Sequence, residues 1–290
     1  MNPIFNRILK PLCTLLAAAM LSACGGASST VEPFKPTRVV GLGDGYNDAT
    51  ATVRVAGSAT DTVVGQVAAY FGQSNVVSQA ARQARIGDLA NQITAVGSFT
   101  AGDLVVITVG AFDVKAGANA ATEAQTLVTQ VQRLLNAGAK HILIMPVLEF
   151  SRTPWARATN FDSTATPTVS LTNSFNSAVL SAVTNAFGGQ MPNSVIYANV
   201  TNLAPTFLTA TSLTTFSSFT DTGYNGTAAG TTPACGAGSA TSFAGCVAGG
   251  AGVSANYTTM LFADGVHLTP LGNQWVAQFL YNATRVGSWI

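Results

Sequence analysis

From residue 37 onward the chain alternates short apolar runs rich in Val and Ile with longer stretches whose apolar residues recur at helical spacing. No other feature narrows the fold as far. Strands apolar on both faces are stable only in a sheet that helices cover on both sides. Asp103 to Val109 reads Asp-Leu-Val-Val-Ile-Thr-Val, a buried strand by its β-branched content. Ala120 to Ala137 places Ala124, Leu127, Val128, Val131, Leu134 and Leu135 on one stripe, and Gly138 stops it. Further strands are expected at Thr37–Leu42, His141–Val147 and Ser194–Val200. Further helices are expected at Thr62–Phe71, Ile86–Val96, Leu171–Phe187, and Leu271 to about Asn282. The expected fold is a single α/β domain over residues 37–290, a flavodoxin-like three-layer sandwich with a parallel sheet.

Two regions lie outside this rhythm. Residues 201–260 are rich in Thr, Ser, Gly and Ala and read as a long surface excursion of the same domain. Residues 1–23 read as an export signal, with Arg7 and Lys10 ahead of an apolar core from Leu12 to Leu21. At roughly 10–12 residues that core is too short to span a bilayer, which takes ~20. It ends in Leu21-Ser22-Ala23-Cys24 and then Gly25-Gly26, which resembles a bacterial lipoprotein lipobox. That resemblance implies diacylglycerol on the Cys24 thiol, cleavage before it, and acylation of the new amine. An ordinary secretory signal that contains a Cys is the alternative. Gly25, where Asp would resemble an inner-membrane retention signal, favours the outer membrane of a bacterial envelope. Residues 24–36 are then the tether, and the acyl chains are the expected membrane contact.

Export decides the remaining cysteines. Cys13 leaves with the signal, and Cys235 and Cys246 share one Gly/Ala/Ser loop in an oxidising compartment. A disulfide is expected between them, with two free thiols as the alternative. The only two histidines are His141 and His267, neither near the cysteine pair, so no metal is expected. Hydrophobic residues make up 48% and charged residues 9%, which excludes disorder for most of the chain. Without Arg7 and Lys10 the mature chain carries eleven basic and twelve acidic side chains, and no basic face for nucleic acid is visible.

In an open α/β sheet the ligand site lies beyond the carboxyl ends of the strands. Four segments fall there: Gly43-Asp44-Gly45-Tyr46-Asn47-Asp48, Asn75 to Arg82, Gly110-Ala111-Phe112-Asp113, and Asp264-Gly265-Val266-His267-Leu268-Thr269-Pro270. In series they resemble the signatures of the GDSL family of the SGNH hydrolases: Gly-Asp-Ser-x-Ser-Asp, Gly-x-Asn-Asp and Asp-x-x-His-Pro-Thr. Gly43-Asp44 and Asp48 match the first, Gly110 and Asp113 the middle, Asp264 and His267 the last. Asn176 and the Cys pair ahead of Phe262-Ala263-Asp264 also resemble the family. The resemblance implies the SGNH fold, a carboxyl-ester hydrolase activity without a cofactor, His267 as general base and Asp264 as the group that orients it.

The departures fall on the covalent half of that machinery. The nucleophile position is Gly45, which has no side chain with which to form an acyl-enzyme. The oxyanion Asn position is Phe112, which donates nothing. The backbone donors at Ala80 and Gly110 can remain, Ala80 standing where the family's second motif has Gly. Leu268 separates His267 from Thr269-Pro270.

Plainer readings accompany each residue. Gly45 also suits a tight strand-to-helix turn. Gly41-x-Gly43-x-Gly45 is not followed by an apolar helix, which excludes a dinucleotide loop. Asp44, Asp48 and Asp113 read as carboxylates that tie loop backbone, and His141 as a surface residue at a strand start. Phe150, Trp155 and Phe161 either line a pocket or pack in the core.

Two functions follow. One is a weak or inactive ester hydrolase, or an active one with a relocated nucleophile, for which Tyr46, Thr50 and Ser58 are the nearby hydroxyls. The other is a scaffold that binds an acyl or glycan ester without cleaving it, the missing side chain at Gly45 enlarging the cleft.

Overall fold

β1 (Arg38–Gly43) and β3 (Asp103–Thr108) are neighbours at the centre of a five-stranded sheet, and both are buried along almost their whole length. Their runs Val-Val-Gly-Leu and Leu-Val-Val-Ile are apolar on both faces, which suits strands covered by helices on either side. β2 (Val76–Ser78), β4 (His141–Met145) and β5 (Val195–Tyr197) complete the sheet in the order β2-β1-β3-β4-β5, all parallel. This is the expected flavodoxin-like arrangement. The structure is a computed structural model and describes residues 32–48, 59–164, 170–200, 233–236, 246, 252–255 and 257–290. Residues 1–31, Thr50, Ser58 and most of 201–260, and with them the expected signal, Cys24 and most of the tether and excursion, lie outside the described residues.

Phe34–Ile290 form one unit. On one face α1 (Val63–Tyr70) packs against α7 (Pro270–Val286). On the other, α2 (Leu89–Val96) meets α4 (Ala120–Asn136), and α4 meets α6 (Leu171–Ala186). α1, α4, α6 and α7 each begin at a polar residue that accepts a hydrogen bond from an otherwise unpaired backbone N–H. Thr62 caps Gly65, Asn119 caps Thr122, Ser170 caps Asn173 and Thr269 caps Gly272. At the amino edge Arg38 donates to both carboxylate oxygens of Asp103 at 2.6 and 2.9 Å, tying β1 to β3 in register.

Some elements differ from the sequence expectation. The 75–82 segment contains β2, three residues long and too short to show a period. The helix expected from Ile86 starts as a 3-10 turn over Ile86–Asp88, and α7 continues past Asn282 to Val286. Two short helices, α3 (Ala111–Lys115) and α5 (Pro154–Ala158), occupy segments read as loops. His141 is half-buried: its ring stacks on Phe34 at 3.5 Å between centroids and stands edge-on to Trp289 at 5.0 Å. Among the described residues no helix is long and apolar enough to cross a membrane.

Candidate active site

The turn after β1 is pinned by buried polar groups. Gly43 has φ +104°, a conformation that favours glycine, and a Cβ there would overlap the Thr108 carbonyl. Its N–H donates to Gln92 Oε1 at 2.6 Å, while Gln92 Nε2 donates to its carbonyl at 2.9 Å. Asn47 Nδ2 donates to the carbonyls of Leu42 and Val106, both at 3.0 Å, and Ser78 Oγ donates to the Asn47 carbonyl at 2.6 Å. Residues 43–47 are thus locked to the ends of β1, β2 and β3. Sequence reasoning missed Gln92 and Asn47 in this role. Gln92 did leave a signal, a polar residue on the stripe that Leu89 and Ile93 bury.

A second loop carries Asp264 and His267. Asp264 is fully buried, and its Oδ1 accepts from the backbone N–H groups of Val266 and His267 at 2.8 and 2.7 Å. An antiparallel bridge between Phe262 and Leu268 closes the loop. Beneath it lies the Cys235–Cys246 disulfide, as expected, and Cys235 N–H donates to the Ala263 carbonyl at 2.8 Å. The staple therefore underpins the Asp264–His267 loop. From the other side Trp155 N–H donates to the Gly265 carbonyl at 2.8 Å. Trp155 and Phe161 are half-buried and Phe150 is buried, three rings in mutual contact, so packing is their visible role.

The two loops meet at Gly45. His267 Nδ1 lies 2.8 Å from Asp264 Oδ2, the orienting contact expected of the pair. Its Nε2 faces the Arg82 backbone carbonyl at 3.4 Å. A Cβ built on Gly45 would overlap Nε2, come within 2.6 Å of the ring carbon Cδ2, and lie 2.8 Å from the Arg82 oxygen. The imidazole therefore fills the space a side chain at position 45 would need. Phe112, only 5% exposed, sits with its ring centroid 5.9 Å from that of His267, and Tyr46 lies 6.3 Å away on another side. The expected enlargement of the cleft at Gly45 is corrected by this placement: no room is gained, because the ring has taken it.

Charge follows from the partners. Asp264 and a backbone carbonyl can only accept, so the ring is best satisfied with a proton on each nitrogen. Burial pulls the His267 pKa down, but the charge and hydrogen bond of Asp264, with smaller help from Arg82 and Asp44, raise it overall. Burial likewise pushes Asp264 up, and the imidazolium and the backbone donors outweigh it, leaving its pKa below the ordinary value. Asp44 accepts from Thr108 Oγ1 at 2.8 Å and from Tyr46 N–H at 3.3 Å, and burial raises its pKa to about 7. Below that pH Asp44 is mostly protonated, and the buried Asp264–His267 ion pair is then without net charge. Asp113 is also raised by burial, to about 6, and Oδ2 accepts from Ile86 N–H at 3.3 Å.

The remaining positions are close by. Gly110, with φ +103°, begins α3, and a Cβ there would press on Val147 and Phe175 at 2.5 and 2.7 Å. Ala80 is buried, and its N–H points to Ser78 Oγ at 3.3 Å. Asn176 serves structure: it accepts from Val147 N–H at 3.1 Å and donates to the Val147 carbonyl at 2.7 Å. Among the described residues no group of His, Cys, Asp and Glu is placed to hold a metal ion.

The sequence model of the GDSL-like Lipase/Acylhydrolase family matches residues 13–280. The chain belongs to this family. No curated protein matches it. A putative GDSL-like lipase from Parabacteroides merdae shares 13% identity, with 87% of this chain and 98% of that one aligned, at a TM-score of 0.52. A member of the lipolytic G-D-S-L family from Veillonella parvula shares 12% identity over 86% of this chain and 96% of its own, at a TM-score of 0.45. At such identities the first likeness shows the shared fold. The GDSL-family architecture also explains why segments so distant in sequence as 43–48, 110–113 and 264–267 converge at one edge of the sheet.

Proposed function

We propose that this GDSL-family chain is a bacterial envelope lipoprotein, anchored through Cys24, that keeps the ester-hydrolase fold and binds a ligand without hydrolysing esters. The observation that carries this reading is His267 in the place of the nucleophile side chain, its two nitrogens turned to Asp264 and the Arg82 carbonyl. A general base needs a hydroxyl within reach of Nε2, and the atom facing it here is an acceptor. Losing the nucleophile of such a site leaves only ~10³–10⁴-fold catalysis over water. Losing an oxyanion donor, as Phe112 implies, removes a further ~10²–10³. The lipobox-like Leu21-Ser22-Ala23-Cys24 supports the anchor, and the outer membrane is the expected site.

The purified protein is expected to turn over p-nitrophenyl esters no faster than its heat-denatured control and to resist a fluorophosphonate probe. Strong labelling, abolished by changing one Ser, Thr or Tyr, would instead assign a relocated nucleophile. Mass spectrometry of the mature N-terminus is expected to find acylated Cys24, and an unmodified terminus elsewhere would refute the anchor.

A further inference from the structure

A hollow of about 300 Å³ opens between α1, the start of α7 and a 3-10 turn over Tyr257–Thr259. None of Gly45, Ala80, Gly110, Phe112, Asp264 and His267 lines it, so it is not part of the candidate active site. Gln66 and Gln274 bring amides to its wall, and Tyr257 and Thr258 bring hydroxyls. Pro270, Leu271 and the Tyr257 ring supply apolar surface. No charged side chain is among the lining residues.

We infer that this hollow binds a neutral sugar, its hydroxyls on the two glutamine amides and its C–H face against Tyr257 and Leu271. Gln66, Gln274 and Tyr257 are half-buried, and among the described residues their side chains make no hydrogen bond within the protein. Other inward-turned glutamines of this chain do. Gln92 pairs with the backbone of Gly43, and Gln73 Nε2 donates to the Pro36 carbonyl at 2.8 Å. The walls of the hollow are fixed without its amides. Thr269 donates through its N–H to the Leu261 carbonyl at 2.9 Å and through Oγ1 to the Met260 carbonyl at 2.6 Å. Asn273 Nδ2 donates to the Asp61 carbonyl at 2.7 Å, which ties α7 to the turn before α1. Tyr257 packs on the buried cluster around the Cys235–Cys246 disulfide. The hollow therefore stands formed before any ligand arrives.

The lining selects among ligands. Each amide offers an oxygen acceptor and an NH₂ donor, which hydroxyl groups satisfy in either direction. An alkyl chain would cover both amides and leave them unpaired. A carboxylate or an ammonium would lose water and gain no counter-charge. A sugar ring brings hydroxyls on its edge and C–H groups on its face, and the Tyr257 side chain has a matching apolar body and polar tip. At ~30 Å³ per water the volume equals about ten waters, enough for a hexose. It stands at the lower end of the ~300–1,000 Å³ typical of ligand sites.

The test is calorimetric titration of the whole protein with glucose and galactose, repeated on the double variant Gln66→Leu, Gln274→Leu. Glucuronate and galacturonate serve as the charged counterparts, and hexanol as the apolar one. At least one hexose is expected to bind, and the double variant to weaken it about tenfold or more, as loss of two neutral hydrogen-bonding groups does. The matching uronate and hexanol are expected to bind at least tenfold more weakly than that hexose. Because neither amide is bonded within the protein, the double variant is expected to keep the wild-type Tm. Absence of binding by both hexoses, equal binding by the double variant, or a uronate or hexanol matching the hexose would each overturn the proposal. A lowered Tm would show that the amides hold the fold, and would overturn it equally.

Discussion

Replacing His267 by Ala is expected to lower the stability of the folded protein by about 3–5 kcal/mol, the cost of breaking a buried ion pair from one side. On the proposed non-hydrolysing reading the imidazole is a structural group. Here it fills the space over Gly45, packs beside Phe112 and Tyr46, and carries the charge that offsets Asp264. Removing it leaves Asp264, which is fully buried, with two backbone donors and no counter-charge. The pH dependence has two limbs. His267 has its folded pKa above the ordinary 6.5, so its contribution is complete below about pH 6.5 and is lost as pH rises through the raised value. Asp264 has its folded pKa below the ordinary 3.8, so its contribution is complete above about pH 3.8 and is lost as pH falls through the depressed value. Urea unfolding of the wild type and the variant should therefore differ most between about pH 4 and 6.5. A difference below about 1 kcal/mol across that window would show that the pair is not structural.

The second large effect concerns position 45. Gly45→Ser alone is expected to lose about 1–3 kcal/mol of stability, because its Cβ meets the imidazole and the Arg82 carbonyl, and this overpacking must be relieved by movement. It should take fluorophosphonate weakly or not at all, since the ring must retreat before a hydroxyl can reach Nε2. Phe112 blocks one direction of retreat. Adding Phe112→Asn shortens that side chain and supplies an amide donor, so the double variant is expected to hydrolyse p-nitrophenyl esters about 10²-fold faster than Gly45→Ser. The exchange removes a buried aromatic ring, at a cost of a few kcal/mol, so assays belong at low temperature. Rapid labelling of Gly45→Ser on its own would mean that the imidazole already stands clear of position 45.

The order of strands and helices was legible because β1 and β3 are unbroken apolar runs and α4 and α6 are long helices with a periodic buried stripe. β2 escaped notice because three residues have no measurable period, and its place comes from backbone pairing with β1. The Asp264–His267 pair was legible because a loop of this kind encodes its contact locally, three residues apart. The fate of the space at Gly45 was not. It depends on Gly45, Arg82 and His267 coming together across the fold, and on a backbone carbonyl whose position no side-chain identity reveals. Gln92 was half-legible, a polar residue on a buried stripe whose partner, the end of β1, appears only in the folded chain.

The protonation state of His267 tests the central claim most directly. Imidazole ¹⁵N shifts, followed from about pH 5 to pH 9, should show both ring nitrogens protonated beyond the ordinary histidine range near 6.5. They should also show Nε2 losing its proton only as the folded protein weakens. A ring that titrates at or below 6.5 to a neutral form with bare Nε2, in a protein still fully folded, would contradict it. Such a histidine would still be poised as a general base.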